Sequence, residues 1–322
     1  MTTTNYSCDK KRLLWQNRVF AGAGVFLAFL LAATAAAQGF SPVAGTAMDF
    51  CLATQKGPCY IQPIAMGPNA NGSTVGDPWV LGTASTSAGN YYLYHWVNGN
   101  WVYAGGAGVM VSVSPQGNPW VITANGQIYY WNGSTFLQAP GDGCATEIGV
   151  GPNAYGSVYG DPWVVGCNSE WGAKNGSIYQ LQGSKWVQQP GAGVQIAVSP
   201  QGVPWIADIN GNVSYWNGSS FSPVPAPPQY GSGIAYVASI AAGPSTAPFA
   251  GPYGDVWIVD EVPNLTIYQL QYGTTWVEIS GNAWGASNVA ISPDFGVPWF
   301  VGDSGQIAYM CTVGLRTPPC TD

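Results

Sequence analysis

Residues 194–225 read VQIAVSPQGVPWIADINGNVSYWNGSSFSPVP. Three turn signals, Ser199-Pro200-Gln201-Gly202, Asp208-Ile209-Asn210-Gly211 and Asn217-Gly218-Ser219-Ser220, separate four short runs. Those runs are Ile196-Ala197-Val198, Trp205-Ile206-Ala207, Val213-Ser214-Tyr215-Trp216 and Phe221-Ser222-Pro223-Val224. Asn-Gly and Pro-x-Gly supply the backbone angles that tight hairpins need, so the stretch predicts a four-stranded antiparallel meander. An earlier segment repeats it almost residue for residue, from Val111-Ser112-Val113-Ser114-Pro115 through Trp120-Val121-Ile122 and Ile128-Tyr129-Tyr130-Trp131-Asn132-Gly133 to Pro140-Gly141.

The same tryptophan recurs six times, as Trp79, Trp120, Trp163, Trp205, Trp257 and Trp299, at spacings of 41, 43, 42, 52 and 42 residues. A period near 42 with four strands per unit and no 3.6-residue periodicity predicts propeller blades, not helical pairs. The expected fold is therefore all-β: a six-bladed β-propeller of four-stranded blades. Middle strands such as Ile128-Tyr129-Tyr130-Trp131 are apolar at successive positions, as sheets packed on both faces require. Five of the six tryptophans follow a proline (Pro78, Pro119, Pro162, Pro204, Pro298). A strand start tolerates the missing N–H. Units one, three and five carry a longer first turn, ending at Asp77, Asp161 and Asp255, whereas the even units use a compact Ser-Pro turn. The last unit lacks an obvious fourth strand, and Phe40-Ser41-Pro42-Val43 near the other end repeats Phe221-Ser222-Pro223-Val224. Pairing of this N-terminal strand with the C-terminal blade is expected to close the ring and remove its edges.

At the N-terminus, Lys10, Lys11, Arg12 and Arg18 precede an uncharged run, Val19 to Ala37, that ends in Ala35-Ala36-Ala37-Gln38. This is the layout of a secretory signal over residues 1–37, leaving 38–322 as the propeller with no membrane span after cleavage. The rival reading is a retained anchor, since about 19 apolar residues can just span a bilayer. Both place the remainder outside the reducing cytoplasm, secreted or periplasmic. Beyond residue 37, four basic residues (Lys56, Lys174, Lys185, Arg316) face fourteen acidic ones. That balance excludes nucleic acid, whose phosphates demand Lys and Arg. Fifteen tryptophans exclude a disordered chain despite a charged content of only 7%.

The units resemble tectonin-type β-propeller repeats, the kind found in tectonins and fish-egg lectins. The resemblance rests on the turn from Val198 to Gly202, the following Trp205, the stretch from Gly211 to Trp216, and closures such as Pro190-Gly191. Proline before the repeated tryptophan departs from the family's apolar residue, which only Val256-Trp257 keeps. The resemblance covers nearly all of 38–322 and implies a six-bladed propeller that binds sugars at a cell surface. It assigns no sugar ligand residue by residue.

An enzyme needs positioned acids, bases, nucleophiles or metal ligands. The chain has one histidine, His95, on an expected strand in Tyr94-His95-Trp96, where a packed role is expected, and its residue set supports neither a serine triad nor a multi-histidine metal site. No cofactor or metal and no enzymatic activity is expected. Asp77, Asp161 and Asp255 recur just before the repeated tryptophan; they can serve as calcium or sugar-hydroxyl ligands, or accept a backbone N–H in their turns. Trp171, in Asn168-Ser169-Glu170-Trp171-Gly172, is a candidate platform for a sugar ring, with Tyr155 and Tyr159 in the long first turn of the same unit. Six cysteines remain after residue 37. Cys144, just before the first strand of unit three, and Cys167, just after the second, meet if those strands pair antiparallel. Cys51 with Cys59 and Cys311 with Cys320 complete a local pairing scheme. The Asn-Gly-Ser sequences at Asn71, Asn132, Asn175 and Asn217 read as hairpin turns before they read as glycan attachment sites. The functional expectation is a lectin-like propeller for glycans or glycoconjugates, with a protein-binding scaffold as the alternative and a glycoside-active enzyme behind both.

Overall fold

The computed structural model describes residues 38–47, 62–69, 75–167, 174–228, 237–247, 249–260, 265–279, 285–302 and 304–312. Residues 1–37, where a leader is expected, lie outside them. The first strand, β1 (Gln38–Thr46), precedes a series of meanders. Blade 1 holds β2 (Ile64–Gly67), β3 (Asp77–Ser85), β4 (Tyr91–Val97) and β5 (Asn100–Gly108). Blade 2 holds β6 (Met110–Val113), β7 (Pro119–Ile122), β8 (Ile128–Trp131) and β9 (Phe136–Gln138). Blade 3 holds β10 (Ala145–Gly151), β11 (Asp161–Gly166), β12 (Gly176–Gln182) and β13 (Lys185–Gly193). In blade 4 these are β14 (Gln195–Val198), β15 (Pro204–Ala207), β16 (Val213–Trp216) and β17 (Phe221–Pro223). Blade 5 comprises β18 (Val237–Gly243), β19 (Asp255–Asp260), β20 (Thr266–Gln271) and β21 (Thr275–Glu278). Blade 6 has β22 (Ala286–Ile291), β23 (Pro298–Gly302) and β24 (Gln306–Thr312).

Blade 6 takes its outer strand from the other end of the chain: β1 pairs antiparallel with β24, from Gln38↔Thr312 to Val43↔Ile307, then across a register shift to Thr46↔Gln306. The sheet order β1-β24-β23-β22 is the expected closure. All six sheets have four strands, no helix occurs among the described residues, and the fold is a six-bladed β-propeller.

All six repeated tryptophans are buried. The core is divided among the blade junctions: Trp120 and Ile128 of blade 2 pack on Ile148 and Val150 of blade 3, and Trp163 of blade 3 packs on Ile196 and Ile206 of blade 4. Stacking of blade faces thus replaces a single central core, with each tryptophan wedged between neighbours. Trp131 and Trp216 are half-buried, resting on Phe136 and on Trp163 and Phe221 respectively.

The turns of even and odd blades dock on each other. Ser114, Ser199 and Ser292 are fully buried, and their hydroxyls accept turn N–H groups from Asn118, Val203 and Val297. Against each serine lies a glycine of the next blade's long turn. Gly160 has φ +113°, and a Cβ there would meet Val150 Cγ1 at 2.5 Å and Ser114 Cβ at 2.9 Å, so close approach as well as backbone angle requires glycine. Gly254 and Gly76 repeat the contact on Ser199 and Ser292.

Candidate functional site

Each repeated tryptophan carries an indole N–H that burial would strand without a partner. Blades 3 and 5 solve this internally. Trp163 donates to Asp161 Oδ2 at 3.1 Å, while Gln180 on the adjoining strand donates to both oxygens at 3.1 and 3.0 Å. Trp257 donates to Asp255 Oδ2 at 2.9 Å and Gln269 to Oδ1 at 2.8 Å. Burial lifts both carboxyls to about 6, against the pull of these donors. Blade 1 substitutes histidine for glutamine: His95 Nε2 lies 2.6 Å from Asp77 Oδ1, and its ring stacks on Trp79 with centroids 4.0 Å apart. Here the Trp79 N–H has no partner among the described residues. The three aspartates therefore engage side chains across their own sheet, where the sequence had pointed to turn N–H groups or external ligands.

Even blades pass the N–H forward. Trp120 donates to the Tyr159 carbonyl at 2.8 Å, Trp205 to Tyr253 at 3.1 Å and Trp299 to Val75 at 2.8 Å, each acceptor lying just before the docking glycine of the next blade. Tyrosine replaces glutamine beside these tryptophans and extends the ring series outward. Tyr130 sits 5.0 Å from Trp120 and 4.8 Å from Tyr159; Tyr215 sits 5.4 Å from Trp205 and 4.1 Å from Tyr253. A hydrogen bond that Tyr215 donates to Tyr253, with some burial, holds the Tyr215 phenol above its ordinary value.

In a meander, the first and third turns of every blade share one end of the ring. At that end three aromatic residues adopt left-handed backbone angles. Tyr155 (φ 50°) and Gly156 (φ 82°) form the centre of a turn closed by Ser157 N–H to Ala154 O. Tyr272 (φ 54°) and Gly273 (φ 72°) do the same between Gln271 and Thr274, and Phe249 (φ 65°) is the third residue of the turn closed by Ala250 N–H to Ala247 O. Turns with such angles normally take Gly, Asn or Asp, because a Cβ in the left-handed region costs roughly 1–2 kcal/mol. All three side chains nevertheless face solvent, at 60%, 62% and 43% exposure, and Phe249 and Tyr272 meet edge to face at 6.0 Å. Exposed Val158 flanks Tyr155, and exposed Tyr253 lies in the same long turn as Phe249.

Of the residues singled out from the sequence, Tyr155 belongs to this face. Tyr159 is half-buried on Tyr130 and supplies the Trp120 acceptor, and His95 is packed. Trp171 lies outside the described residues. Phe249, Tyr253 and Tyr272 were not singled out. Cys144 and Cys167 form a disulfide with Cα atoms 5.4 Å apart. Cys51, Cys59, Cys320 and the side chain of Cys311 lie outside the described residues. Asn132 and Asn217 are absorbed in their turns, each side-chain oxygen accepting two backbone N–H groups.

These junctions and turns define a member of the six-bladed propeller class. No family model and no curated protein matches the chain. Among solved structures it is similar to YCF48 bound to D1 peptide, with 13% identity over 88% of this chain and 97% of that one and a TM-score of 0.52. It is also similar to a structural-genomics protein of unknown function from Bacteroides thetaiotaomicron, with 12% identity over 85% and 76% of the two chains and a TM-score of 0.53. At these identities the likeness shows the fold alone.

Proposed function

We propose that the protein is an extracellular carbohydrate-binding propeller whose ligand rests on the aromatic turns of blades 3 and 5, and that it is not an enzyme. The observation that carries the reading is the placement of Tyr155, Phe249 and Tyr272, exposed, at backbone positions that ordinarily hold glycine or asparagine. A fold keeps a strained aromatic in water only where another selection outweighs stability. Exposed ring faces stack on the apolar face of a pyranose, and the surrounding Ser, Asn and Gly turns offer neutral hydrogen-bonding groups for its hydroxyls. A chain with 7% charged residues suits an uncharged ligand better than an ionic one. The Cys144–Cys167 disulfide suits an oxidising compartment. Two such patches on one face would act together on a multivalent surface and raise weak single-site affinity through avidity.

The test is a glycan array probed with purified wild-type protein and with the Tyr155→Asn/Tyr272→Asn double variant, which keeps both turns. Binding to a defined set of neutral glycans, lost in the double variant, is the expected result. An array that stays silent while an extended peptide binds the same face would establish a protein-binding scaffold in its place.

A further inference from the structure

The second residue of the outer strand of each odd blade is a tryptophan beside the chain entering that blade. Trp101 donates its N–H to Ala44 O at 2.7 Å, and Trp276 donates to Pro225 O at 2.8 Å. Their counterpart in blade 3, Trp186, has a buried N–H with no partner among the described residues. The entering segment differs here. Pro140-Gly141-Asp142-Gly143-Cys144 turns back through positive φ at Gly141 (83°) and Asp142 (46°) and is pinned by the Cys144–Cys167 disulfide. Gly143 then lies against the indole so closely that a Cβ would sit 2.2 Å from Nε1. No backbone carbonyl is presented where Ala44 and Pro225 present theirs. Beside this segment lies a cavity of about 250 Å³, bounded by Asp142, Gly143, the disulfide, Val164, Tyr179 and Trp186.

From this cavity we infer a second binding site, for a single neutral polyhydroxylated ring such as one monosaccharide unit. Its walls are two aromatic rings, a valine and a disulfide, an apolar lining that suits a ring's C–H face. Its polar groups are a buried indole N–H that finds no acceptor among the described residues, a phenol, and the exposed carboxylate of Asp142, which can accept from a ligand hydroxyl. A hydroxyl supplies both functions at once, whereas a hydrocarbon satisfies neither and an anion is repelled by Asp142. The volume falls just under the roughly 300 Å³ at which sites for drug-sized ligands begin, which fits one ring and not a chain. The indole N–H is covered by Gly143, so a ligand hydroxyl reaches it only when the Gly141–Gly143 segment, anchored at Cys144, shifts slightly outward. The choice of sugar over other polyols rests on the carbohydrate-binding reading above; the site itself does not.

The test titrates the purified protein with a panel of neutral monosaccharides and with myo-inositol, following the indole N–H resonances by NMR. The Trp186 signal is assigned by its loss in Trp186→Phe. At least one member of the panel is expected to shift that resonance saturably, and its binding, followed by titration calorimetry in every variant, should weaken about tenfold in Trp186→Phe. Asp142→Asn, which tolerates the same backbone angle, provides a variant that folds regardless and should weaken binding at least threefold. Tyr272→Asn should leave this titration unchanged. A Trp186 resonance unmoved by every ligand at saturating concentration, or equal affinity in both pocket variants, overturns the site. A silent glycan array together with a saturable Trp186 shift would instead remove the turn-face reading and leave the pocket standing.

Discussion

Blades 3 and 5 differ from blades 2, 4 and 6 in where a tryptophan N–H finds its acceptor. In the former the bond closes within the sheet, on Asp161 or Asp255; in the latter it crosses to the next blade, on Tyr159, Tyr253 or Val75. All the repeated tryptophans pack between blades, but the indole hydrogen bond of blades 3 and 5 stabilises one sheet, whereas that of the even blades fastens one sheet to another. The ring behaves as three blade pairs, 2 with 3, 4 with 5 and 6 with 1, each joined by an indole, a buried serine and a glycine.

Removing a tryptophan tests this division most severely. Trp205→Ala and Trp257→Ala should each lower stability by about 3–5 kcal/mol in chemical denaturation, through lost burial and the cavity left behind. Their local effects should differ. Hydrogen exchange at Tyr253–Asp255 should accelerate in Trp205→Ala, whose blade-5 acceptor loses its donor, more than in Trp257→Ala. Equal acceleration in both would break the pairing scheme.

The buried aspartates give the next largest effect. The folded-state values for Asp161 and Asp255 are about 6, above the ordinary 3.8. The folded state then holds these protons more tightly than the unfolded chain, so the contribution is present in full below about pH 4 and is lost as pH rises through 6. Each group can account for about 3 kcal/mol. Glu147, buried on β10 and raised well above its usual range by desolvation, works in the same direction. Denaturation at pH 4.5 should thus require more denaturant than at pH 7, and Asp161→Asn/Asp255→Asn should flatten that difference. A wild-type protein of equal stability at both values would contradict this origin.

The repeat made the architecture legible because burial of a large side chain at one register position is a demand that every blade shares. Trp79 to Trp299 mark the blades, and Phe40 to Val43 reveal the closing strand because its neighbours in the sheet are repeats too. The meeting of Cys144 and Cys167 followed from antiparallel pairing alone. What the repeat concealed was the alternation of partners. Gln180, Gln269 and His95 stand where even blades have Tyr130, Tyr215 and Tyr309, a difference visible in the letters whose meaning depends on strand register. The aromatic turn face was concealed differently. Tyr272-Gly273 occupies the place that Asn98-Gly99 holds in blade 1, and this departure from turn chemistry was the one available signal.

Blade 1 offers a milder probe of the same comparison. His95→Gln would give it the side-chain set of blades 3 and 5, with Asp77 released from the histidine to accept from Trp79. Satisfying a buried N–H that has no partner contributes on the order of 1 kcal/mol, so this variant should be slightly more stable than wild type. A loss exceeding about 1 kcal/mol would mean that the Trp79–His95 stack outweighs the missing hydrogen bond.

The smallest expected change separates stability from recognition. Asn98-Gly99 and Tyr272-Gly273 hold corresponding central positions in the third turns of odd blades, both with positive φ at each residue, the blade-5 loop adding one residue, Thr274, before pairing resumes. Asparagine visits the left-handed region at little cost and tyrosine does not. Tyr272→Asn should therefore raise stability by up to about 1 kcal/mol, read as a rise in the denaturation midpoint, and the edge contact with Phe249 offsets part of that gain. Binding to the turn face should fall in the same variant. A variant that loses both stability and binding would mean that Tyr272 is held by packing on Phe249, and the strain would then carry no functional information. Opposite movement of the two quantities is what a residue kept for its ligand produces.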